Sequence, residues 1–180
     1  MKKIVLLALI SLFMVPAMAQ QGGHNCGNCP HHKQHQGASC QQQSQQAKTV
    51  NGMAMEIVKA FPEAKSVKKE TKWTVVYDAN KGVLGYAVYS KPASDGIKGF
   101  NGETPLMVAL DAKQNVKCVV LLPNNETPEY LQRVVNAGLL KSWDGMKVKK
   151  ARSKKVDTVS GATFSSNSII QTLQAALKNI

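Results

Sequence analysis

Two stretches of this chain concentrate side chains that can do chemistry. The first is Asp157-Thr158-Val159-Ser160-Gly161-Ala162-Thr163-Phe164-Ser165. Its small residues predict a turn feeding the N-terminus of a helix. Unpaired N–H groups there favour an anion such as phosphate. Gly161 permits close backbone approach, Ala162 leaves the flank open, and Thr163 places a hydroxyl near the first turn. Threonine and serine are also ordinary N-caps, so the same residues read equally as a cap and nothing more. The second stretch holds all four histidines (His24, His31, His32, His35) and three of the four cysteines (Cys26, Cys29, Cys40). The two-residue gap of Cys26-Gly27-Asn28-Cys29 lets one turn present two thiolates to one metal. His31, His32, His35 and Cys40 follow within reach of the same ion, and zinc or copper would suit the set. Pro30 occupies the place where c-type haem attachment needs a histidine, and no strand–helix unit surrounds the pair as a thioredoxin-like site requires. The alternative is a low-complexity tail whose cysteines form a disulfide during export. Both readings stay open.

The elements that must position the first stretch follow from hydrophobic periodicity. Met53, Ile57, Val58 and Phe61 share one helical face, and Pro62 ends that helix. Trp73 to Tyr77 and Val83 to Tyr89 read as a hairpin around Asp78-Ala79-Asn80-Lys81-Gly82. A loop with Gly96, Gly99 and Gly102 around Phe100 comes next. Leu106 to Leu110 and Val116 to Leu122 form a second hairpin through Asp111-Ala112-Lys113-Gln114-Asn115, and strands joined this closely pair antiparallel. A helix should start near Glu126, with Pro128 in its first turn, and finish before Gly138. The last helix should run from about Ser165 to Lys178, burying Ile169, Ile170, Leu173, Ala176 and Leu177. Strands grouped between helices predict an α+β fold, a curved and mostly antiparallel sheet flanked by helices. Cys118, inside a predicted strand, is expected to be a buried core thiol.

Length and charge narrow the class further. The 180 residues suit one domain with a leader and tail, and 43% hydrophobic residues are enough for a core. No apolar run reaches the roughly 18–20 residues of a spanning helix, which excludes a polytopic membrane protein. Residues 1–19 read as a secretory signal peptide: Lys2 and Lys3, an apolar run, then Ala17-Met18-Ala19. An uncleaved anchor is the alternative, and cleavage is favoured. The expected location is the periplasm or the outer face of the cytoplasmic membrane. Residues 20–48 are rich in glutamine and poor in apolar side chains, so they read as a flexible tail. The folded domain is expected over 50–180. The formal charge is +12, and Lys141 to Lys155 holds seven basic residues against Asp144 alone. That run reads as a lysine-protected edge strand, or as a means of neutralising a phosphate or an acidic partner. Nucleic acid is not expected, since only Trp143 interrupts the basic residues.

The motif Asp157-x-x-Ser160-Gly161-Ala162-Thr163 resembles the flavinylation motif of the FMN-binding domain family. The family includes the C subunit of the sodium-translocating NADH:quinone reductase and the G subunit of the Rnf complex. Gly99-Phe100-Asn101-Gly102, the two strands that follow, and Asn125-Glu126-Thr127-Pro128 are similar to the family in order and spacing. Together the likeness covers about residues 80–178. It implies covalent FMN, moved from FAD onto Thr163 as a phosphoester by a dedicated flavin transferase that reads Asp157. It further implies Ser160, Gly161 and Ala162 beside the phosphate, and Glu126 and Thr127 as flavin contacts. The function so implied is that of an exported electron carrier, serving a membrane redox complex or another extracytoplasmic carrier. No catalytic acid, base or nucleophile constellation argues for an independent enzyme. Some of Lys147, Lys149, Lys150, Arg152, Lys154 and Lys155 are then expected to raise the flavin potential or dock an acidic donor. The competing function is periplasmic metal binding through the Cys/His tail.

Overall fold

A computed structural model describes residues 49, 50 and 52–180. The leader expected over 1–19 and the Cys/His segment over 20–48 lie outside the described residues. A two-residue pair, β1 (Thr49–Val50) and β2 (Met53–Ala54), leads into α1 (Met55–Ala60). Five strands follow: β3 (Ser66–Lys69), β4 (Thr74–Tyr77), β5 (Val83–Tyr89), β6 (Leu106–Asp111) and β7 (Val116–Leu121). They form one antiparallel meander in chain order, with β5 between β4 and β6. The helical part comprises α2 (Pro128–Asn136), a 3-10 turn (Leu139–Trp143), α3 (Val148–Ala151) and α4 (Thr163–Lys178). The fold is α+β, as expected.

The middle of the sheet is apolar on both sides, and β6 shows why. Leu106, Val108 and Leu110 point to one face, where they pack with Ile169, Leu173 and Leu177 of α4, Val134 of α2 and Trp143. Met107 and Ala109 point to the other, against Ile57 and Phe61 from the α1 region. A strand with no solvent face reads as a continuous apolar run. The sheet therefore separates two cores, and the larger one fixes α4 to its back.

The sequence-based boundaries of β5, β6 and β7 hold to within a residue. Three differences have physical causes. The basic run Lys141–Lys155 is not an edge strand. Trp143, Val148 and Ala151 are buried, so the chain curls beneath the sheet as a 3-10 turn and a short helix. Edge lysines do occur, at Lys68 and Lys69 of β3, a strand with too little apolar content to be read in advance. Cys118 is half-buried, not a core thiol. Burial pushes its thiol up, and the Asp144 carboxylate adds to this.

Leu173 has no exposed surface and joins α4 to the sheet. Leu173→Ala should cost about 2–5 kcal/mol in chemical denaturation, with an unchanged slope.

Candidate functional site

Glu126 is 4% exposed, yet its carboxylate is ionised more easily than usual. Burial opposes the charge. Four donors outweigh it: the Ser165 hydroxyl at 2.7 Å, the Gly102 N–H at 2.8 Å, and the Asn101 and Phe100 N–H groups at 2.9 Å each. One oxygen takes Phe100 and Ser165, the other Asn101 and Gly102. A single charge thus joins the glycine loop, the chain entering α2, and the first turn of α4. Gly99 is required here, because a Cβ at this position would lie 2.8 Å from the Glu126 carboxylate oxygen.

Beyond this clamp is a cavity of about 270 Å³ lined by Phe100, Tyr130, Gly161, Ala162, Thr163, Phe164 and Ser165. Phe100 and Phe164 are 61% and 68% exposed, an unusual state for large apolar side chains. Their ring centroids are 6.5 Å apart, and Phe100 meets Tyr130 edge-on at 5.0 Å. The volume falls just under the usual range for enclosed small-molecule sites. It suits a flat ligand seated partly in the cavity and partly across the exposed rings.

The floor of the cavity is the start of α4. Gly161 is left-handed (φ +76°), which turns the chain sharply into the helix. The Ser166 hydroxyl stabilises the turn by accepting from the Val159 N–H and donating to the Ala162 carbonyl. Thr163 is the first helical residue and is exposed. It is not an N-cap. Ala162 holds that position and offers no side-chain cap, so the first-turn N–H groups have no side-chain partner from it. The cap reading of this motif therefore fails, and the helix begins two residues earlier than expected. The Arg133 guanidinium lies 3.4 Å from where a Cβ on Gly161 would stand, which puts a cation beside the turn.

The other sequence-derived candidates fall as follows. Ser160 and Asp157 are exposed on the approach to the turn, and the Asp157 carboxylate has no hydrogen bond among the described residues. Thr127 is half-buried at the cap of α2 and does not line the cavity. Glu126 stands behind the cavity wall, its oxygens engaged within the protein. Lys147, Lys149 and Arg152 line a different cleft, which includes Ile180 just past the C-terminal end of α4. Sixteen helical residues span about 24 Å, which separates this cleft from the Thr163 end of α4. Arg133 is the cation beside the site and was not singled out from sequence; Phe100 and Phe164 are its aromatics, quoted within the two motif blocks but not as candidate contacts. The available signal was an aromatic residue beside a glycine loop and another directly after the motif threonine. Among the described residues no group of histidine, cysteine and acidic side chains could hold a metal, and no helix is long and apolar enough to cross a membrane.

Residues 99–178 match the model of the FMN-binding domain family. Among solved structures, the chain is similar to NqrC of Shewanella oneidensis at 22% identity, covering 63% of each chain with a TM-score of 0.42. The chain thus spans less than two thirds of that protein's crystallised length. No curated protein matches the chain.

Because its folded carboxyl ionises at lower pH than an unfolded one, Glu126 stabilises the fold fully above the ordinary carboxylate range. That contribution is lost as pH falls through the lowered folded value. Glu126→Gln should remove this acid-side loss from the stability–pH curve. Glu126→Ala, which strands three N–H groups and a hydroxyl, should cost about 3 kcal/mol or more at neutral pH. Denaturation midpoints across a pH series would measure both.

Proposed function

We propose that the protein, whose residues 99–178 match the model of the FMN-binding domain family, is an exported electron carrier holding FMN covalently through a phosphoester to Thr163. The observation that carries this reading is the exposed Thr163 hydroxyl on the first turn of α4, flanked by Phe100 and Phe164. The residues present fit the cofactor part by part. The α4 N-terminus and the Arg133 guanidinium suit the singly charged phosphodiester that a link to Thr163 would create. The faces of Phe100, Phe164 and Tyr130 suit a flat ring system.

In the attachment step the Thr163 oxygen forms a bond to the FMN phosphorus of FAD. The bond to the bridging pyrophosphate oxygen breaks, AMP leaves, and a base of the transferase takes the hydroxyl proton. Asp157 and Ser160, both exposed on the approach, are available for recognition by that enzyme. The flavin, once bound, supplies reversible electron transfer. The chain's own residues hold it in place. The phosphoester keeps the effective concentration of the cofactor high where a dissociated flavin would be lost. Arg133 offsets the phosphate charge, and the Glu126 clamp keeps the Phe100 loop against α4. Export rests on residues 1–19, and the partners this reading requires are a flavin transferase and a membrane redox complex or another extracytoplasmic carrier.

Co-expression with a flavin transferase should yield a protein whose yellow colour and added FMN mass survive denaturation. Thr163→Ala should remove both while leaving the far-UV spectrum unchanged. Ser160→Ala should stay labelled. Retention of the label by Thr163→Ala would overturn the attachment site.

A further inference from the structure

A second cleft lies at the far end of α4. Its walls are Trp73, Lys113, Gln114, Lys147, Lys149 and Arg152, around a volume of about 450 Å³. No acidic side chain lines it. Ile180, the last residue of the sequence, lines it too, and its main-chain oxygen takes Arg152, while Lys113, Lys147 and Lys149 take part in none of the ion pairs found among the described residues. Like charges gathered round one concavity repel each other, which is a cost to the fold unless an anion offsets it.

The cleft is also held in shape. Asp111 accepts from the Lys113 N–H, the Asn115 N–H and the Asn115 side chain, each at 2.8 Å. This locks the β6–β7 turn that carries Lys113 and Gln114, with the Asp111 carboxylate held by the turn and also felt by Lys113. The Val148 N–H donates to the Gln114 carbonyl at 3.2 Å, and Asn115 pairs with Lys147, so the two walls are joined through the backbone. Arg152 is anchored by a hydrogen bond from its Nη2 to the Ile180 carbonyl. Trp73, stacked at a tilt on Tyr86 with centroids 4.6 Å apart, gives the cleft one flat apolar wall.

We propose that this cleft is a docking site for a carboxylate-rich segment of a partner protein, with an apolar side chain of that segment resting on Trp73. A protein segment is favoured over a small anion because the positive charge runs past the cleft. Lys150 and Lys155 are exposed on the same stretch of chain, beyond the lining. A net charge of +12, or +10 once Lys2 and Lys3 leave with the leader, would speed encounter with an acidic partner at low salt. The position, about one α4 length from Thr163, leaves the flavin site uncovered by the docked segment. The proposal does not depend on flavin attachment.

The chain has two tryptophans, and Trp143 is wholly buried, so Trp73 reports on the cleft. The full chain would be titrated with a synthetic peptide rich in glutamate and aspartate and, separately, with inorganic triphosphate. The peptide should change the tryptophan fluorescence saturably, and the change should vanish in Trp73→Phe. Lys147→Glu with Lys149→Glu should weaken binding by about tenfold or more, and Lys113→Glu on the opposite wall should weaken it independently. Lys59→Glu with Lys65→Glu makes the same change in net charge outside the cleft's lining and should weaken binding by less than about threefold. Three results would overturn the proposal: no saturable change, equal weakening by both charge-reversed pairs, or triphosphate binding more tightly than the peptide.

Discussion

A buried carboxylate cannot stay charged without donors, and that requirement organises this domain. Glu126 draws three successive N–H groups of the loop at 100–102 and the hydroxyl of Ser165 onto two oxygens. Segments separated by 24 to 39 residues meet there. The loop could not otherwise approach, since it has no apolar side chain pointing into the core at that place; its one aromatic, Phe100, points out. Gly99 has to be a glycine for the same reason. Glu126 is therefore best understood as the residue that assembles the cavity, with Phe100 and Thr163 lining it and Arg133 beside the Gly161 turn.

The clamp works only because α4 is already fixed. Ile169, Leu173 and Leu177 bury against the sheet face formed by Leu106, Val108 and Leu110. Hydroxyls finish the contact: Thr104 and Ser168 share a hydrogen bond at 2.6 Å, and Ser166 closes the turn before the helix. The apolar contacts place the helix against the sheet. The hydroxyls set where it begins, and with it the position of Thr163.

Most of the architecture was legible because the central strands carry unbroken apolar runs and the turns between them carry strong signals. Asp78 and Asp111 each accept N–H groups from their own turns, and Lys81 and Gln114 take the left-handed conformation. What escaped was set by tertiary context. β3 has one half-buried valine and pairs because β4 offers it an open edge. The basic run alternates in a strand-like way over Lys147-Val148-Lys149, but the burial of Trp143 and Ala151 dictates a helical turn. In the site, residue types alone predicted a turn and a helix start near Thr163, and it was the family resemblance that singled out the threonine. Arg133 could not be read at all, because nothing about an arginine on an amphipathic helix says that a glycine turn will fold beside it.

The exposed aromatics bear on why a tether would be useful. Phe100 and Phe164 lie together on the surface, and adjacent exposed rings promote association between molecules. A flat ring system held over them would cover that surface, gaining the apolar burial that the rings alone forgo. Yet a cavity of about 270 Å³ cannot enclose a whole cofactor, so contact area by itself gives limited affinity. A carrier faces opposing demands: an enclosed cofactor is retained but exchanges electrons poorly with partners, and an open one is lost. A covalent bond at the helix N-terminus, as proposed, would separate the two demands. Retention would then be set by the bond to Thr163, and the rings of Phe100 and Phe164 would be left only to orient what the bond holds.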